Sequence, residues 1–528
     1  MRIPGGLAAW ASVAVLLAAI SLPGREIPPW APFSGDNGIR LWQAQAFIEG
    51  TEALPRALPP GVGSRMYPPA LSIPCDGGVA SSYPASFPLV SSLFGAGSLG
   101  SSRLFVLIAT ASAAWPLAVL AAGGAAAGIG AIAGICAFAL SGMAPYALVF
   151  WEHGPAMLPA LLWVLMFMSA LGRRGRLPFW TIPLAAAAVW RPEIAPAAAG
   201  ASVALVWSAR REEGARSAIL VWAAAAILAG LAMLVPGALP ERIADNLPCF
   251  VPPGRFLQAR LSILSSWTVP AGNIPAVAAC LAWAIAAVMP ERLASKTVFR
   301  VAAVSAALVL LYYWYRKSLG SSSIFMLAPG LALFPLSKGL GESPAAARME
   351  KAGGGAAAAL LLLSPTDGMF QFGPRFLLLP AALLAASFVR RCLRKHLGGA
   401  LLLASAAAVS IAGSVRGVLF ENYFRSRHAQ LAACILAVPE GTAVATDEEW
   451  MPITAWKASE QTPVLFMDRP PAGGVVSGTT AVWLSGRSVA TGEASASGYR
   501  GLRWSGPGAA SLAPPPGDPL PNPWEGIP

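Results

Sequence analysis

The chain has 528 residues, of which 56% are hydrophobic and only 12% are charged, and its mean hydropathy is +0.60. Soluble proteins carry about 25% charged residues, so this composition predicts an integral membrane protein. The net charge of +12 does not indicate nucleic-acid binding, because Lys and Arg fall in short segments between apolar runs. Such segments are typical of cytoplasmic loops. With 3 histidines in all, a His-rich metal site is excluded.

Apolar runs predict about 13 membrane-spanning helices, each crossing needing roughly 20 residues. The first run, Leu7–Leu22, is either a cleaved signal peptide or a retained span, and both place the next loop outside. The later spans are predicted at residues 103–123, 126–150, 154–172, twice within 177–207, 217–235, 274–289, 298–314, 324–336, 356–365, 376–389 and 400–414. An odd number of spans leaves the C-terminus outside.

The first external loop, residues 23–102, contains the stretch SGDNGIRLWQAQAFIEG. Its apolar residues recur at helical spacing: Ile39, Trp42, Ala46 and Phe47. This pattern predicts a short amphipathic helix with one apolar face, capped by Ser34 or Asp36. An acid fixed at the membrane surface suits chemistry on a lipid-borne substrate. The alternative is that Asp36 is only a helix cap.

The composition changes after the last predicted span. Within residues 416–510, the runs TAVATD, PVLFMD and GTTAVWLSG are typical of strands, and EEWMPITAWKASE is typical of a helix. Residues 511–528 are proline-rich and predict a disordered tail. The predicted fold is therefore an all-α polytopic membrane domain over residues 1–415, followed by a small extracytoplasmic α/β module.

The polar residues suited to chemistry map to the predicted outer face or just below it: Asp36, Asp76, Glu152, His153, Arg191, Glu193, Asp367 and Arg375. Each has a simpler alternative. Glu152 and His153 together end a helix, Arg191 pairs with its neighbouring acid, and Arg375 anchors a helix end at the membrane surface. An arginine fork in a lipid-facing groove also suits a phosphate or pyrophosphate.

Four stretches resemble the GT-C superfamily of polytopic glycosyltransferases, which includes protein mannosyltransferases and aminoarabinose transferases: SGDNGIRLWQAQAFIEG, FWEHGPAMLPALLW, WRPE and QFGPRFLLLPAAL. The resemblance implies a polyprenyl-phosphate sugar as donor. It implies an envelope glycan, lipid or protein as acceptor, outside the inner (cytoplasmic) membrane. Asp36 would be the general base of a one-step displacement that inverts the anomeric centre.

The resemblance also implies a set of substrate-binding residues. Arg375 is the first choice for the lipid phosphate and Arg191 the second. The other expected substrate-binding residues are Glu152, His153, Arg40 and Asp76. The pair Asp36–Asn37 stands where many members have two acids, so the participation of a divalent cation is left open.

Two other classes stay open. A transporter or lipid flippase would explain broken helices around Arg191 without chemistry. The absence of an internal repeat and the long first external loop count against it. A non-catalytic membrane scaffold that displays the C-terminal module is the other class.

Overall fold

The computed structural model describes these residues: 3–51, 54–55, 72–75, 78–81, 86–94, 98–123, 126–170, 191, 194–208, 253–268, 273–290, 293, 296–316, 323–341, 343–363, 375–395, 397–448, 451–467, 475–476, 479–485, 494–495 and 503–505. Asp76, Glu193 and Asp367 lie outside this set, and so do residues 511–528 and the span predicted at 217–235.

The described part of the chain is mostly helical. Its α-helices are α1 (Ile3–Ser21), α2 (Gly35–Ile48), α3 (Ser86–Phe94), α4 (Leu99–Ala111), α5 (Ala114–Ala122), α6 (Ala127–Leu140), α7 (Ala144–Leu148), α8 (His153–Ala170), α9 (Ile194–Ser208), α10 (Pro253–Thr268), α11 (Ile274–Val288), α12 (Thr297–Tyr315), α13 (Ile324–Leu327), α14 (Phe334–Ser337), α15 (Pro344–Leu363), α16 (Leu378–Cys392), α17 (Leu397–Leu436) and α18 (Met451–Thr454).

The strands are β1 (Leu54–Pro55), β2 (Ser72–Cys75), β3 (Gly78–Ser81), β4 (Ala443–Thr446), β5 (Val464–Phe466), β6 (Val475–Val476), β7 (Thr479–Ser485), β8 (Ala494–Ser495) and β9 (Arg503–Ser505). The first sheet has the antiparallel order β1-β3-β2. The second has the order β5-β4-β7-β9-β8, with β6 added beside β7. In it β4 runs parallel to β5 and β7, and β9 runs antiparallel to its neighbours.

The chain divides into two units. Unit 1 comprises Met1–Ile20, Val106–Leu148 and Glu152–Gly417, and unit 2 comprises Ser21–Phe105, Val149–Trp151 and Val418–Pro528. In unit 1, α9 packs along α15, which also packs on α16. In unit 2, the buried residues of the last part of α17 form one apolar core with β4, β5, β7 and α18.

Three helical stretches among the described residues are long and apolar enough to cross a membrane: Leu99–Ala122, Thr297–Tyr315 and Leu397–Leu436. Five shorter apolar helices of 10–17 residues accompany them. On α12, Val298 and Leu308 are 77% and 62% exposed. A helix this apolar and this exposed needs an apolar surrounding, which supports association with a membrane. The count of about 13 spans stays a prediction.

The span predicted at 324–336 is not one continuous helix. The structure divides it into α13, a 3-10 segment (Pro329–Leu333) and α14. Pro329 and Pro335 each lack the backbone N–H that an uninterrupted helix would use, and their rings restrict the preceding residue. The prediction of one continuous spanning helix here was therefore wrong, and most residues of the stretch are buried in the protein.

Helix α17 is longer than the predicted span at 400–414. Its 40 residues extend about 60 Å, about twice the hydrocarbon thickness of a membrane. The part before Val418 is apolar and belongs to unit 1, whereas the part that follows belongs to unit 2 and carries Glu421, Arg425 and His428. The part of α17 that is apolar enough to cross a membrane is therefore its N-terminal half.

The three strands predicted after residue 440 are present as β4, β5 and β7. The stretch predicted as helical between them contains α18 and a 3-10 turn (Ala458–Glu460). The β4 side chains are all buried, as a short apolar strand between two parallel neighbours requires. Whether this region forms a separate module outside the membrane stays a prediction.

Candidate functional site

Asp36 lies in the first turn of α2, and it does not occupy the capping position. Ser34 is the N-cap: its backbone is extended, with φ −152° and ψ 173°, and its hydroxyl accepts a hydrogen bond from the Asn37 N–H at 3.3 Å. The half-buried carboxylate of Asp36 therefore stands where the helix dipole favours negative charge. Of the two capping residues that the sequence allowed, the structure selects Ser34.

Helix α2 is buried around most of its circumference, so the prediction of a single apolar face was too narrow. Its buried residues include the polar Asn37, Arg40 and Gln43. Asn37 Oδ1 accepts from the Phe33 N–H at 2.8 Å, and Asn37 Nδ2 donates to the Phe150 carbonyl at 2.9 Å. Asn37 is thus engaged with backbone at both ends of its amide.

Arg40, expected to bind substrate, is 3% exposed and donates from Nη1 to the backbone carbonyl of Asp36 at 3.1 Å. The contact joins successive turns of α2 on the side that carries the acid. Arg40 therefore braces the backbone at Asp36, and its described contact is with the protein.

Four of the expected residues come together in unit 1. A small cleft is lined by polar His153, Arg191 and Arg375 and by the apolar side chains of Met157, Ile194, Ala197, Phe376, Leu378 and Leu379. Arg191 Nη1 lies 2.7 Å from Glu152 Oε1, and the Glu152 side chain is 3% exposed. Arg375 lies over the Phe376 ring, with Cζ 5.7 Å from the ring centroid. These residues come from three distant parts of the sequence.

Two helix N-termini lie at this cleft. His153 and Ile194 are the first residues of α8 and α9 and line it, whereas Leu378, the first residue of α16, follows directly on a 3-10 turn (Arg375–Leu377). The first turn of a helix carries backbone N–H groups without partners in the helix and the positive end of its dipole. Together with two arginines, this arrangement attracts an anion.

The start of α8 is positioned by a glycine. A Cβ atom on Gly154 would lie 2.3 Å from Thr110 Oγ1 and 2.8 Å from the Tyr146 carbonyl oxygen. Only a residue without a side chain lets the start of α8 approach Thr110 and Tyr146 this closely. The ring centroids of His153 and Tyr146 are 6.0 Å apart.

The expected residues thus fall in two groups. His153, Arg191 and Arg375 share the unit 1 cleft, with Glu152 bound to Arg191. Asp36 and Arg40 share a turn of α2 in unit 2. Among the described residues, no three His, Cys, Asp or Glu side chains are grouped as a metal ion requires.

Sequence reasoning missed a third group, which binds the proline-rich segment Ile27–Pro32 in unit 2. Its six consecutive backbone carbonyls each accept a hydrogen bond from a side chain, and the donors are Arg103, Arg425, His428 and Trp456. Three residues of the segment are prolines, which have no backbone N–H. At these residues the segment cannot donate the backbone hydrogen bonds that a helix or a sheet requires.

Two arginines of this group bind the segment in the same way. Arg103 donates from Nε to the Pro29 carbonyl (2.7 Å) and from Nη2 to that of Ala31 (2.9 Å). Arg425 donates from Nε to the Ala31 carbonyl (3.3 Å) and from Nη2 to Ile27 and Pro28 (3.5 and 3.4 Å). Each places its remaining nitrogen, Nη1, 3.9–4.0 Å from the same oxygen of Glu421.

Glu421 is therefore shared by two arginines, the buried Arg425 and the partly buried Arg103. It is 1% exposed, and the described residues place no hydrogen-bond donor on either of its oxygens. The two guanidinium groups within 4.0 Å lower the pKa of this carboxyl, but burial has the larger effect and raises it. The signal for this group was available: Glu421, Arg425 and His428 recur at helical spacing in an apolar run.

Comparison with known proteins gives no further identification, since no protein-family model and no curated protein matches this chain.

Proposed function

We propose that this chain is a membrane glycosyltransferase that moves a sugar from a polyprenyl-phosphate donor to an acceptor on the extracytoplasmic face. The observation that carries the proposal is the unit 1 cleft, where Arg191, Arg375 and the N-termini of α8 and α9 meet an apolar wall. A lipid phosphate combines the two chemistries that this lining offers, a negative headgroup and a hydrocarbon chain.

In this proposal Arg375 and Arg191 bind the phosphate oxygens and stabilise the charge that develops on them as the sugar leaves. Glu152 holds the Arg191 guanidinium at 2.7 Å. Apolar neighbours such as Met157, Phe376 and Leu379 receive the first part of the prenyl chain. His153 has the role of a polar contact to the sugar or the phosphate.

Asp36 is assigned the role of general base. It accepts the proton of an acceptor hydroxyl, whose oxygen forms a bond to the anomeric carbon. The bond from that carbon to the phosphate oxygen breaks, and the electron pair leaves with the polyprenyl phosphate. A single displacement of this kind inverts the anomeric centre. The resemblance leaves a divalent cation open, and no step here is assigned to one.

The proposal includes a placement in the inner membrane with about 13 spans, following the predicted lengths of the apolar runs. The first loop and the C-terminal α/β region would lie outside. Cysteine labelling of intact cells tests this placement at exposed positions, in a variant whose native cysteines are replaced by serine. Glu49→Cys and Glu440→Cys should react with a membrane-impermeant maleimide, and Lys351→Cys should react only after permeabilisation. The opposite pattern would overturn the proposed sidedness.

A lipid flippase or transporter is the second candidate, because the same cleft would hold a lipid phosphate that is moved without chemistry. The activity test separates the two. Purified protein in proteoliposomes receives polyprenyl phosphates carrying radiolabelled mannose, glucose or arabinose, with a host envelope fraction as acceptor. Glycosyl transfer predicts label in a new glycosidic linkage, and transport predicts unchanged donor in the opposite leaflet. Absence of any new linkage with all three donors would overturn the proposal.

A further inference from the structure

The segment bound by Glu421 and its arginines leads directly into the helix that carries Asp36. Pro32 is held by His428, whose Nδ1 lies 2.8 Å from its carbonyl oxygen. Phe33, the next residue, packs edge-on against Phe420 and Phe424, with ring centroids 6.1 and 6.0 Å away. After Phe33 come the N-cap and the first turn of α2.

The start of α2 is tied back to the same segment. The Phe33 N–H donates to Asn37 Oδ1 at 2.8 Å, so the last residue of the segment is bound to the first turn of the helix. A Cβ on Gly38 would meet the Ile453 carbonyl oxygen at 2.9 Å and Pro32 Cβ at 3.3 Å, so this part of the helix lies directly against both α18 and the segment. A displacement of the segment would therefore move the turn that contains Asp36.

We infer that Glu421, acting through Arg103 and Arg425, is a positioning residue that fixes the segment Ile27–Phe33 and thereby the location of Asp36. The inference rests on the proposed function for its catalytic meaning. A proline-rich loop provides few amides for regular structure, so its fixed course depends on side-chain donors. Apolar packing would stabilise unit 2 as well as a buried ion cluster does, but it would not orient the four carbonyls that the two arginines bind.

The first experiment measures how firmly α2 is held in place, and it requires no enzymatic activity. Hydrogen–deuterium exchange is followed in the full chain in nanodiscs for α2 (Gly35–Ile48) and, as an internal reference, for β4. Arg425→Lys keeps the positive charge but loses the Nε and Nη2 fork that binds the segment. We expect faster exchange in α2 and unchanged exchange in β4.

The matched control is Arg427→Lys, the same substitution two residues further along α17. Arg427 donates to Gln430 and lies 5.1 Å from the Tyr423 ring, and its described contacts do not include the segment. This variant should leave exchange in α2 unchanged. Glu421→Gln is the second test variant, since it removes the shared counter-charge while keeping the shape of the side chain. If it does not fold, Arg425→Lys decides the question.

The second experiment measures sugar transfer. A misplaced base lowers kcat by roughly ten- to a hundredfold, since a misplacement of about 1 Å has effects of this size. KM for the lipid donor should stay within about twofold, because its phosphate is bound by other residues. In an Asp36→Asn background, Arg425→Lys should cause no further loss, because the residue through which it acts is already inactive.

The outcomes are separable. Unchanged exchange in α2 for Arg425→Lys would overturn the inference, whatever the activity. Faster exchange with an equal loss of kcat in the wild-type and Asp36→Asn backgrounds would also overturn it, because the segment would then have a general structural role. If the wild-type protein transfers no sugar, the proposed function fails, and the inference is decided by the exchange in α2 alone.

Discussion

Arg191 and Glu152 form a nearly buried ion pair, with Nη1 of the arginine 2.7 Å from Oε1 of the glutamate. Glu152 immediately precedes α8, and Arg191 stands three residues before α9. The pair therefore ties together the starts of two helices that both line the cleft. It also orients the Arg191 guanidinium before any anion is bound, which reduces the rearrangement that binding requires.

Replacing Glu152 by glutamine should destabilise unit 1. The substitution keeps the shape of the side chain but leaves Arg191 without the negative charge of its partner, and breaking a buried pair costs about 3–5 kcal/mol. Part of this cost is relieved because the Arg191 side chain is 12% exposed. Thermal unfolding in detergent measures the loss.

Glu460→Gln is the control for Glu152→Gln. Glu460 also lies 2.7 Å from its basic partner, Lys457, but that lysine is 37% exposed. Surface pairs contribute about 0–1 kcal/mol, so this variant should unfold close to the wild-type temperature. Equal decreases in unfolding temperature for both variants would mean that the buried Glu152 pair stabilises the protein no more than a surface pair does.

Arg375 should matter through its two-point recognition of phosphate rather than through its charge. Arg375→Lys keeps the charge and loses the fork. We expect KM for the polyprenyl-phosphate donor to rise roughly tenfold, because a hydrogen bond to a charged group contributes about 1.5–3 kcal/mol. Steady-state transfer in proteoliposomes, with expression matched by blot, provides the measurement.

The matched control is Arg390→Lys, in the last turn of α16, the helix that follows Arg375. Arg390 donates to the Leu120 carbonyl and does not line the cleft. Its substitution should leave the donor KM unchanged. A fully active Arg375→Lys enzyme would show that Arg375 is only an interfacial anchor.

Local signals in the sequence predicted α2 and the last strands well. Spacing and composition located α2, β4, β5 and β7, because those signals lie within a few residues of each other. For His153, Arg191 and Arg375 the sequence predicted only that they lie at or near the same, outer face of the membrane. Their meeting in one cleft depends on packing between distant helices, for which a single sequence carries no direct signal.

One prediction was wrong and one group of residues was overlooked, and each has a specific cause. Pro329 and Pro335 divide a run whose hydropathy suggested one span. Glu421 and its arginines were overlooked because each charge, taken singly, looks like a charge at the end of a span. Only the structure shows that both arginines bind backbone carbonyls of the same segment, Ile27–Pro32.

His428 should make unit 2 sensitive to acid. Burial lowers its pKa to about 4, with the hydrogen bond to Pro32 acting in the opposite direction. A carbonyl only accepts, so Nδ1 carries a hydrogen in the neutral ring. In the unfolded chain the ring titrates near pH 6.5, so the unfolded state takes up the proton first as the pH falls. Stability is therefore lost between about pH 6.5 and 4, by at most about 3 kcal/mol.

The comparison with His428→Gln isolates this contribution. Glutamine offers an N–H to the Pro32 carbonyl but does not titrate, so its stability should fall less over the same pH range. Burial raises the pKa of the neighbouring Glu421 carboxyl, whose effect on stability has the opposite sign and is common to both proteins. Identical pH dependence of unfolding in the two would mean that His428 does not titrate in this way.

Asp36 provides the strongest test, because the structure assigns the capping hydrogen bond to Ser34. Asp36→Asn should therefore leave α2 and membrane insertion nearly intact. An amide cannot accept the proton of an acceptor hydroxyl, so the transfer rate should fall by roughly 10²- to 10⁴-fold, the scale of general-base catalysis. The donor KM should stay close to that of the wild-type protein, since the phosphate-binding residues are unchanged.

Ser34→Ala is the matched control for Asp36→Asn, because it removes the cap and keeps the acid. It should cost about 1 kcal/mol of stability and leave most of the transfer activity. Loss of the cap affects the helix, whereas loss of the carboxylate affects the reaction, so the two variants should separate stability from rate. Both are compared in the same membranes with protein amounts matched by blot. If Asp36→Asn transfers sugar at the normal rate, Asp36 is not the base, and the role passes to Asp76 or Glu152.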